Sequence, residues 1–91
     1  MRLESPEIGI LSRVVRPESA DWSPTAAKEL LQLRFTDADR VHMRDLLAKN
    51  QADTLTEAER QEIQGYEIVG HFLDFVHSKA RKSIKNSGGK T

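Results

Sequence analysis

The segment between residues 56 and 85 constrains the fold more than any other part of the sequence. Thr56 and Glu59 form a Thr-x-x-Glu pattern, which is typical of the capping box at a helix N-terminus. The segment contains no proline, and its apolar residues recur at three- and four-residue steps, as they do along the core-facing side of a helix. These residues are Tyr66, Val69, Leu73, Val76, Ala80 and Ile84. The pattern predicts one long helix that ends near Lys85.

Two shorter helices are predicted upstream, each behind its own start signal. Ser23 followed by Pro24 is typical of an N-cap and a first helical position, and this helix is expected to reach Phe35. Thr36 begins the next helix, which is expected to end near Gln51. Helices joined by short turns predict an all-α fold, either a small three-helix bundle or an open helical hairpin with a long C-terminal helix.

The N-terminal residues 1–22 have a different pattern. Between Pro6 and Pro17 lies a short apolar run that favours β structure. We expect an extended N-terminal arm with at most one strand, which would lie on the helices, pair with a second copy or join a partner's sheet. A loosely docked terminus is the alternative. The predicted organisation is an arm over residues 1–22, a helical domain over residues 23–85 and a disordered basic tail over residues 86–91.

The composition argues against catalysis. A chain of 91 residues, 37% hydrophobic and 5% aromatic, forms one small domain at most, and such a domain rarely encloses a substrate cavity. The sequence contains no phosphate-binding glycine loop, nucleophile elbow or metalloprotease signature. Glu67, His71 and Asp74 have a spacing that could ligate a metal weakly, but a solvated helix face is the preferred interpretation. We therefore predict no enzyme activity, no cofactor and no metal.

The sequence also contains features from which the cellular compartment of the protein can be predicted. Cysteine is absent, which excludes disulfides and fits a reducing environment. There is neither a signal-peptide pattern nor an apolar run that approaches the roughly 18 residues of a membrane span. These features predict a soluble cytoplasmic protein with no membrane partner.

Charge is balanced overall but unevenly distributed. Fourteen basic and fourteen acidic residues cancel. Seven acids lie between Thr36 and Gln64 against four bases, whereas the bases after Ser78 face no acid. These bases are Lys79, Arg81, Lys82, Lys85 and Lys90. Such a basic end most often matches the helix dipole, so a nucleic-acid partner is not predicted except through this end.

The long helix has more apolar surface than one neighbour can cover. Ile68, Phe72 and Phe75 form a second row beside the first, at the spacing by which an amphipathic helix enters a groove. This row either packs beneath the first helix or the arm, or serves self-association or partner binding. The predicted partner-binding residues are Ile8, Ile10, Val14, Ile68, Phe72, Phe75 and Lys79.

Three short runs resemble those of a group of small bacterial helical proteins. The runs are Thr-Leu-Thr-Glu-Ala-Glu-Arg from Thr54, Val-Gly-His from Val69 and Ser-Lys-Ala-Arg from Ser78. The resemblance covers residues 22–84. It implies an antitoxin-like protein encoded beside a second small gene, with a His-Asn-His type nuclease as a candidate toxin.

The functional prediction follows from both lines of argument. We expect an antitoxin or immunity-like protein that binds and neutralises a cognate protein toxin, whose basic groove would accept the acidic middle of this chain. The first alternative is a structural or adaptor protein that self-associates as a homo-oligomer without inhibiting anything. A DNA-binding regulator that uses the basic C-terminal end is the second, and the acids at the start of the third helix argue against sequence-specific reading by a helix-turn-helix unit.

Overall fold

The computed structural model describes residues 6–88, which form four helices and no strand. They are α1 (Pro6–Val15), α2 (Pro24–Leu30), α3 (Asp37–Gln51) and α4 (Glu57–Gly88). The predicted all-α class is therefore confirmed for this part of the chain. None of the four helices combines the length and the apolar character that crossing a membrane demands.

Helix α4 is the axis of the molecule. The helices α1, α2 and α3 each pack against α4 and not against one another. Helices α1 and α2 lie on its C-terminal half, and α3 runs antiparallel to its N-terminal part, which makes the molecule elongated, 54 × 27 × 15 Å. We call α1, α2 and residues 72–86 of α4 the body, and α3 with residues 57–67 of α4 the hairpin.

The prediction of an extended arm over residues 1–22 is wrong for residues 6–15, which are helical, and its first five residues lie outside the described residues. Pro6 occupies the first helical position, where its missing N–H costs nothing. Ile8, Leu11 and Val15 share the side that packs on α4, and Val15 is buried. A helix also satisfies its own backbone hydrogen bonds, which a lone strand cannot do. The packing against α4 thus outweighs the β preference of the branched residues.

Two helix ends differ from the sequence prediction. Helix α2 stops at Leu30 rather than Phe35, and the residues that follow form tight turns. The side chain of His77 bonds the carbonyl of Leu33 at 2.7 Å, which anchors this turn to α4. Helix α4 continues past Lys85 to Gly88. The tail predicted over residues 86–91 is therefore helical as far as residue 88, and the rest of it lies outside the described residues.

The body holds most of the buried side chains. Val15, Ala27, Val76 and Ala80 are its buried apolar residues. Two polar side chains of α4 are buried with them and tie the preceding segments to it. The ammonium of Lys79 donates to the carbonyl of Val15 at 2.7 Å, and the hydroxyl of Ser83 accepts from the N–H of Trp22 at 3.2 Å. The body is thus closed by apolar packing together with satisfied polar groups.

Candidate partner-binding groove

Polar contacts hold the two helices of the hairpin together. The ammonium of Lys49 lies 2.6 Å from a carboxylate oxygen of Glu59, near the turn. At the far end the hydroxyl of Tyr66 donates to Asp39 at 2.8 Å. Between them a ring nitrogen of His42 lies 3.1 Å from Glu62. These three pairs fix the relative height of α3 and α4.

Both helix starts in the hairpin are capped as the sequence indicates. The hydroxyl of Thr36 accepts from the N–H of Asp39 at 3.1 Å. Thr56 and Glu59 form a complete capping box, because the N–H of Thr56 donates to the Glu59 carboxylate and the N–H of Glu59 donates to the Thr56 hydroxyl. The turn between α3 and α4 closes with Asp53 in the left-handed conformation. The hairpin geometry is thus set locally.

The hydrogen bonds shift the protonation equilibria of the paired groups. The ammonium of Lys49, together with the N–H of Thr56, holds the pKa of Glu59 below its ordinary value, and Glu59 raises the pKa of Lys49 in turn. The Tyr66 hydroxyl and then the Thr36 hydroxyl lower the pKa of Asp39, which raises the pKa of Tyr66. All four groups therefore keep their ordinary charge at neutral pH.

A groove of about 550 Å³ lies between α3 and α4. Its lining residues on α3 are Arg40, Met43, Arg44, Leu46, Leu47 and Asn50, and those on α4 are Ile63, Tyr66 and Glu67. The four aliphatic and thioether side chains make an apolar floor, and the charged side chains stand at the rim. The volume is in the range of sites that take a small ligand or the side chains of a docked helix.

The groove is open because α3 has only one helical neighbour. Leu46 points at α4 and is 1% exposed, whereas the next residue, Leu47, is 57% exposed. Val41, on the same helix but not in the groove, is 58% exposed. In a closed helical bundle, neighbouring helices on both sides would bury the whole width of the apolar stripe. The apolar stripe of α3 is thus only partly covered by the described chain.

The rim of the groove separates the two signs of charge. Arg40 and Arg44 stand on the α3 side, and Glu67 stands on the α4 side. Within residues 6–86 none of these three side chains takes part in an ion pair or a hydrogen bond. Their charges are consequently free to meet those of another molecule.

None of the residues predicted for partner binding lines the groove. Ile10 and Val14 are exposed one turn apart on α1, and Val14 is 72% exposed, while Ile8 is half-buried against α4. Ile68, Phe72 and Phe75 are half-buried on α4. Whether these six residues bind a partner stays a prediction.

Lys79 is placed differently from the other predicted site residues. It is 4% exposed, and its ammonium contacts the Val15 carbonyl, Asp21 at 2.9 Å and the Trp22 ring at 4.7 Å from the centroid. Its role in the described chain is to join α1 and the following loop to α4. This placement does not support its prediction as a partner-binding residue.

The groove does not follow from the sequence pattern, although its residues carry a signal. Met43, Leu46 and Leu47 form the apolar stripe of α3, and in a closed bundle that stripe would be core. What the periodicity cannot tell is how many neighbours a helix has. The long helix is offset so that α1 and α2 lie at one end and α3 alone at the other.

No metal centre emerges among residues 6–86, where no three His, Asp or Glu side chains gather closely enough to hold an ion. The ring of His71 lies 6.3 Å from that of Phe75, in a tilted arrangement. Comparison with known proteins adds no assignment, because no protein-family profile, no curated protein and no solved structure matches this chain.

Proposed function

We propose that the chain is a non-catalytic binding protein, an antitoxin or immunity-like inhibitor, which takes an amphipathic helix of a cognate toxin into the α3–α4 groove. A nuclease is one candidate for that toxin. The proposal rests on the groove, an apolar surface of sufficient size that no described element covers. We also propose that the fold is an open helical hairpin with a long C-terminal helix. The proposed location is the cytoplasm.

The chemistry of the groove favours recognition over catalysis. Its polar side chains include one carboxylate, Glu67, and the Tyr66 hydroxyl, which already donates to Asp39. No nucleophile stands beside a base there. A helix with apolar residues at every third or fourth position would fill the floor. Acidic residues along one edge of that helix would meet Arg40 and Arg44.

Charge attraction to the acidic middle of the chain is a weaker basis for binding than the sequence suggests. Four of the seven acidic residues there already contact basic or hydroxyl groups within the hairpin. They are Asp39, Asp45, Glu59 and Glu62. Paired carboxylates attract an external basic surface less, because their charge is compensated. The apolar floor therefore contributes the larger share of the proposed affinity.

The experiment that tests this function is co-expression with the product of the neighbouring gene. We expect that product to arrest growth alone and the intact chain to restore it. Leu47→Arg, which puts a charge on the groove floor, should abolish the rescue. Val41→Arg is the matched control, because the two side chains are almost equally exposed on the same helix and only Leu47 lines the groove.

Three results would contradict the proposal. The neighbouring product could be harmless, the intact chain could fail to rescue, or Leu47→Arg could rescue as well as the intact chain does. Circular dichroism of both variants must show unchanged helix content, so that loss of rescue reports the groove and not unfolding. Both positions are exposed, and surface substitutions of this kind usually change stability by less than about 0.5 kcal/mol.

A further inference from the structure

We propose that the resting occupant of the groove is the hairpin of a second copy of this chain, related to the first by a two-fold axis that runs along the hairpin. This inference rests on the proposed function, because it names an occupant of the same groove and a way to regulate access to it. Two arguments support it, the charges at the rim and the relative height of the two helices.

The signs of the rim charges select how two hairpins can face each other. A two-fold axis along the hairpin places α3 of each copy against α4 of the other, so that Arg40 and Arg44 approach the side that carries Glu67. A two-fold axis across the hairpin would place α3 against α3. The arginines of both copies would then meet each other and repel. Only the first arrangement is complementary.

The heights of the rim residues agree with that arrangement. The hydrogen bond between Tyr66 and Asp39 sets these two residues side by side. Because α3 and α4 are antiparallel, Arg40 and Glu67, each the next residue in its helix, lie on opposite sides of that level and differ by about 3 Å in height. Rotation about an axis along the hairpin preserves height, so Arg40 of one copy comes within about 3 Å in height of Glu67 of the other, a difference that the long arginine side chain can span. The reverse pair forms by symmetry.

Such a dimer completes the packing that the single chain leaves open. Two hairpins with their grooves face to face form a four-helix arrangement, in which Leu47 and Met43 of both copies are enclosed between the helices. The overall charge does not oppose association, since the chain has a formal net charge of zero. A toxin helix and the second copy would compete for one surface, so self-association would regulate inhibition.

The first test is sedimentation equilibrium of the full chain and of two variants. The intact chain should be a dimer at micromolar concentration. Leu47→Arg should raise the dimer dissociation constant by at least about a hundredfold, because two leucines leave the interface. Val41→Arg should leave it within about threefold. A monomeric intact chain, or equal behaviour of the two variants, would overturn the inference.

The second test reverses the rim charges. Arg40→Glu should weaken the dimer by about tenfold, since two attractive contacts per dimer become repulsive. Glu67→Arg should do the same. The double variant Arg40→Glu with Glu67→Arg should recover most of the affinity of the intact chain, because each contact is attractive again. Additive weakening in the double variant would mean that the two residues do not face each other, and would rule out the proposed axis.

The outcomes separate this inference from the proposed function. A monomeric chain that still rescues cells through Leu47 would refute the dimer and leave the inhibitor proposal intact. A dimer that depends on Leu47 but never rescues would do the opposite. Melting curves of all variants, followed by circular dichroism, exclude unfolding as the cause of dissociation.

Discussion

The two halves of α4 differ in the number of helices that pack against them and in the side chains that are buried there. In the body, α4 packs against two helices and buries four apolar side chains together with Lys79 and Ser83. In the hairpin it has one neighbour, and Leu46 is the single fully buried apolar side chain among the residues described there. Polar pairs such as Lys49 with Glu59 accompany this one buried leucine. The body is thus closed, and the hairpin is open.

This difference separates stability from binding within one short chain. Apolar burial provides most of the free energy of folding, whereas exposed ion pairs contribute little. The hairpin should therefore open locally at a lower free energy than the body. Because the floor of its groove is uncovered, a partner or second copy gains more binding free energy by burying apolar surface there than on the body. A region of low local stability is where binding surfaces are often found.

The largest effect is expected from Leu46→Ala. Truncating a fully buried leucine costs about 3 kcal/mol, through lost apolar burial and the cavity that remains. Because Leu46 is the main apolar contact between α3 and α4, the loss should fall on the hairpin. Hydrogen exchange of dilute protein should show faster exchange in α3 and nearly unchanged protection in the body. Leu47→Ala is the control and should change stability by less than about 1 kcal/mol.

Equal loss of protection in both regions would break the comparison. It would mean that the chain unfolds as one cooperative unit, in which the hairpin and the body share their stability. The proposed difference between the two ends would then be one of shape only.

An intermediate effect is expected from Lys79→Met in the body. Methionine keeps the apolar stem but cannot donate, so the buried carbonyl of Val15 loses its partner, at a cost of about 1–3 kcal/mol. The contact with Trp22 is lost as well, so indole fluorescence should change together with the melting temperature. Lys82→Met is the control, because that ammonium lies 3.4 Å from the Pro17 carbonyl in an exposed contact.

If the two lysine variants melt alike, Lys79 does not join the loop before α2 to α4, and the body is held by its apolar residues alone. If Lys79→Met instead raises stability, desolvation of the ammonium outweighs its contacts, as is known for some buried ion pairs. Either result would separate the contribution of apolar packing to the stability of the body from that of its polar contacts.

The helix starts could be predicted from the sequence because capping is local. Ser23, Thr36 and Thr56 each accept a hydrogen bond from the N–H three residues on, as their residue types indicate. These signals need only a few neighbouring residues, so they survive whatever the tertiary structure does. The start of three of the four described helices was fixed in this way.

The conformation of residues 6–15 and the groove could not be predicted, because both depend on distant contacts. The branched residues of α1 favour a strand in isolation, and packing against α4 decides for a helix. The exposure of Leu47 depends on the absence of a second neighbour for α3. Periodicity identifies an apolar face but not what covers it. The burial of Lys79 could not be predicted for the same reason. From the sequence, a basic residue beside an apolar row is expected at the surface, and only contacts with distant residues bury it.

The smallest expected effect concerns the polar ties of the hairpin and their dependence on pH. Glu59→Gln keeps an oxygen that can accept from the N–H of Thr56, so the capping box persists, but it removes the charge opposite Lys49.

The pKa of Glu59 is lower in the folded chain than its ordinary value. The folded state therefore binds fewer protons than the unfolded state between the two values, and stability rises with pH there. The contribution of the pair is complete above the ordinary carboxyl pKa, about 4.3, and is lost as the pH falls through the lowered value. Since the pKa of Lys49 is raised, the contribution is also lost as the pH rises through that raised pKa. Thermal melts of the intact chain and of Glu59→Gln should thus differ by a constant small amount between about pH 5 and 9 and converge in acid. A difference that persists at pH 2 would show that Glu59 acts through packing and not through its charge, and the hairpin would then resemble the body more closely than its open groove indicates.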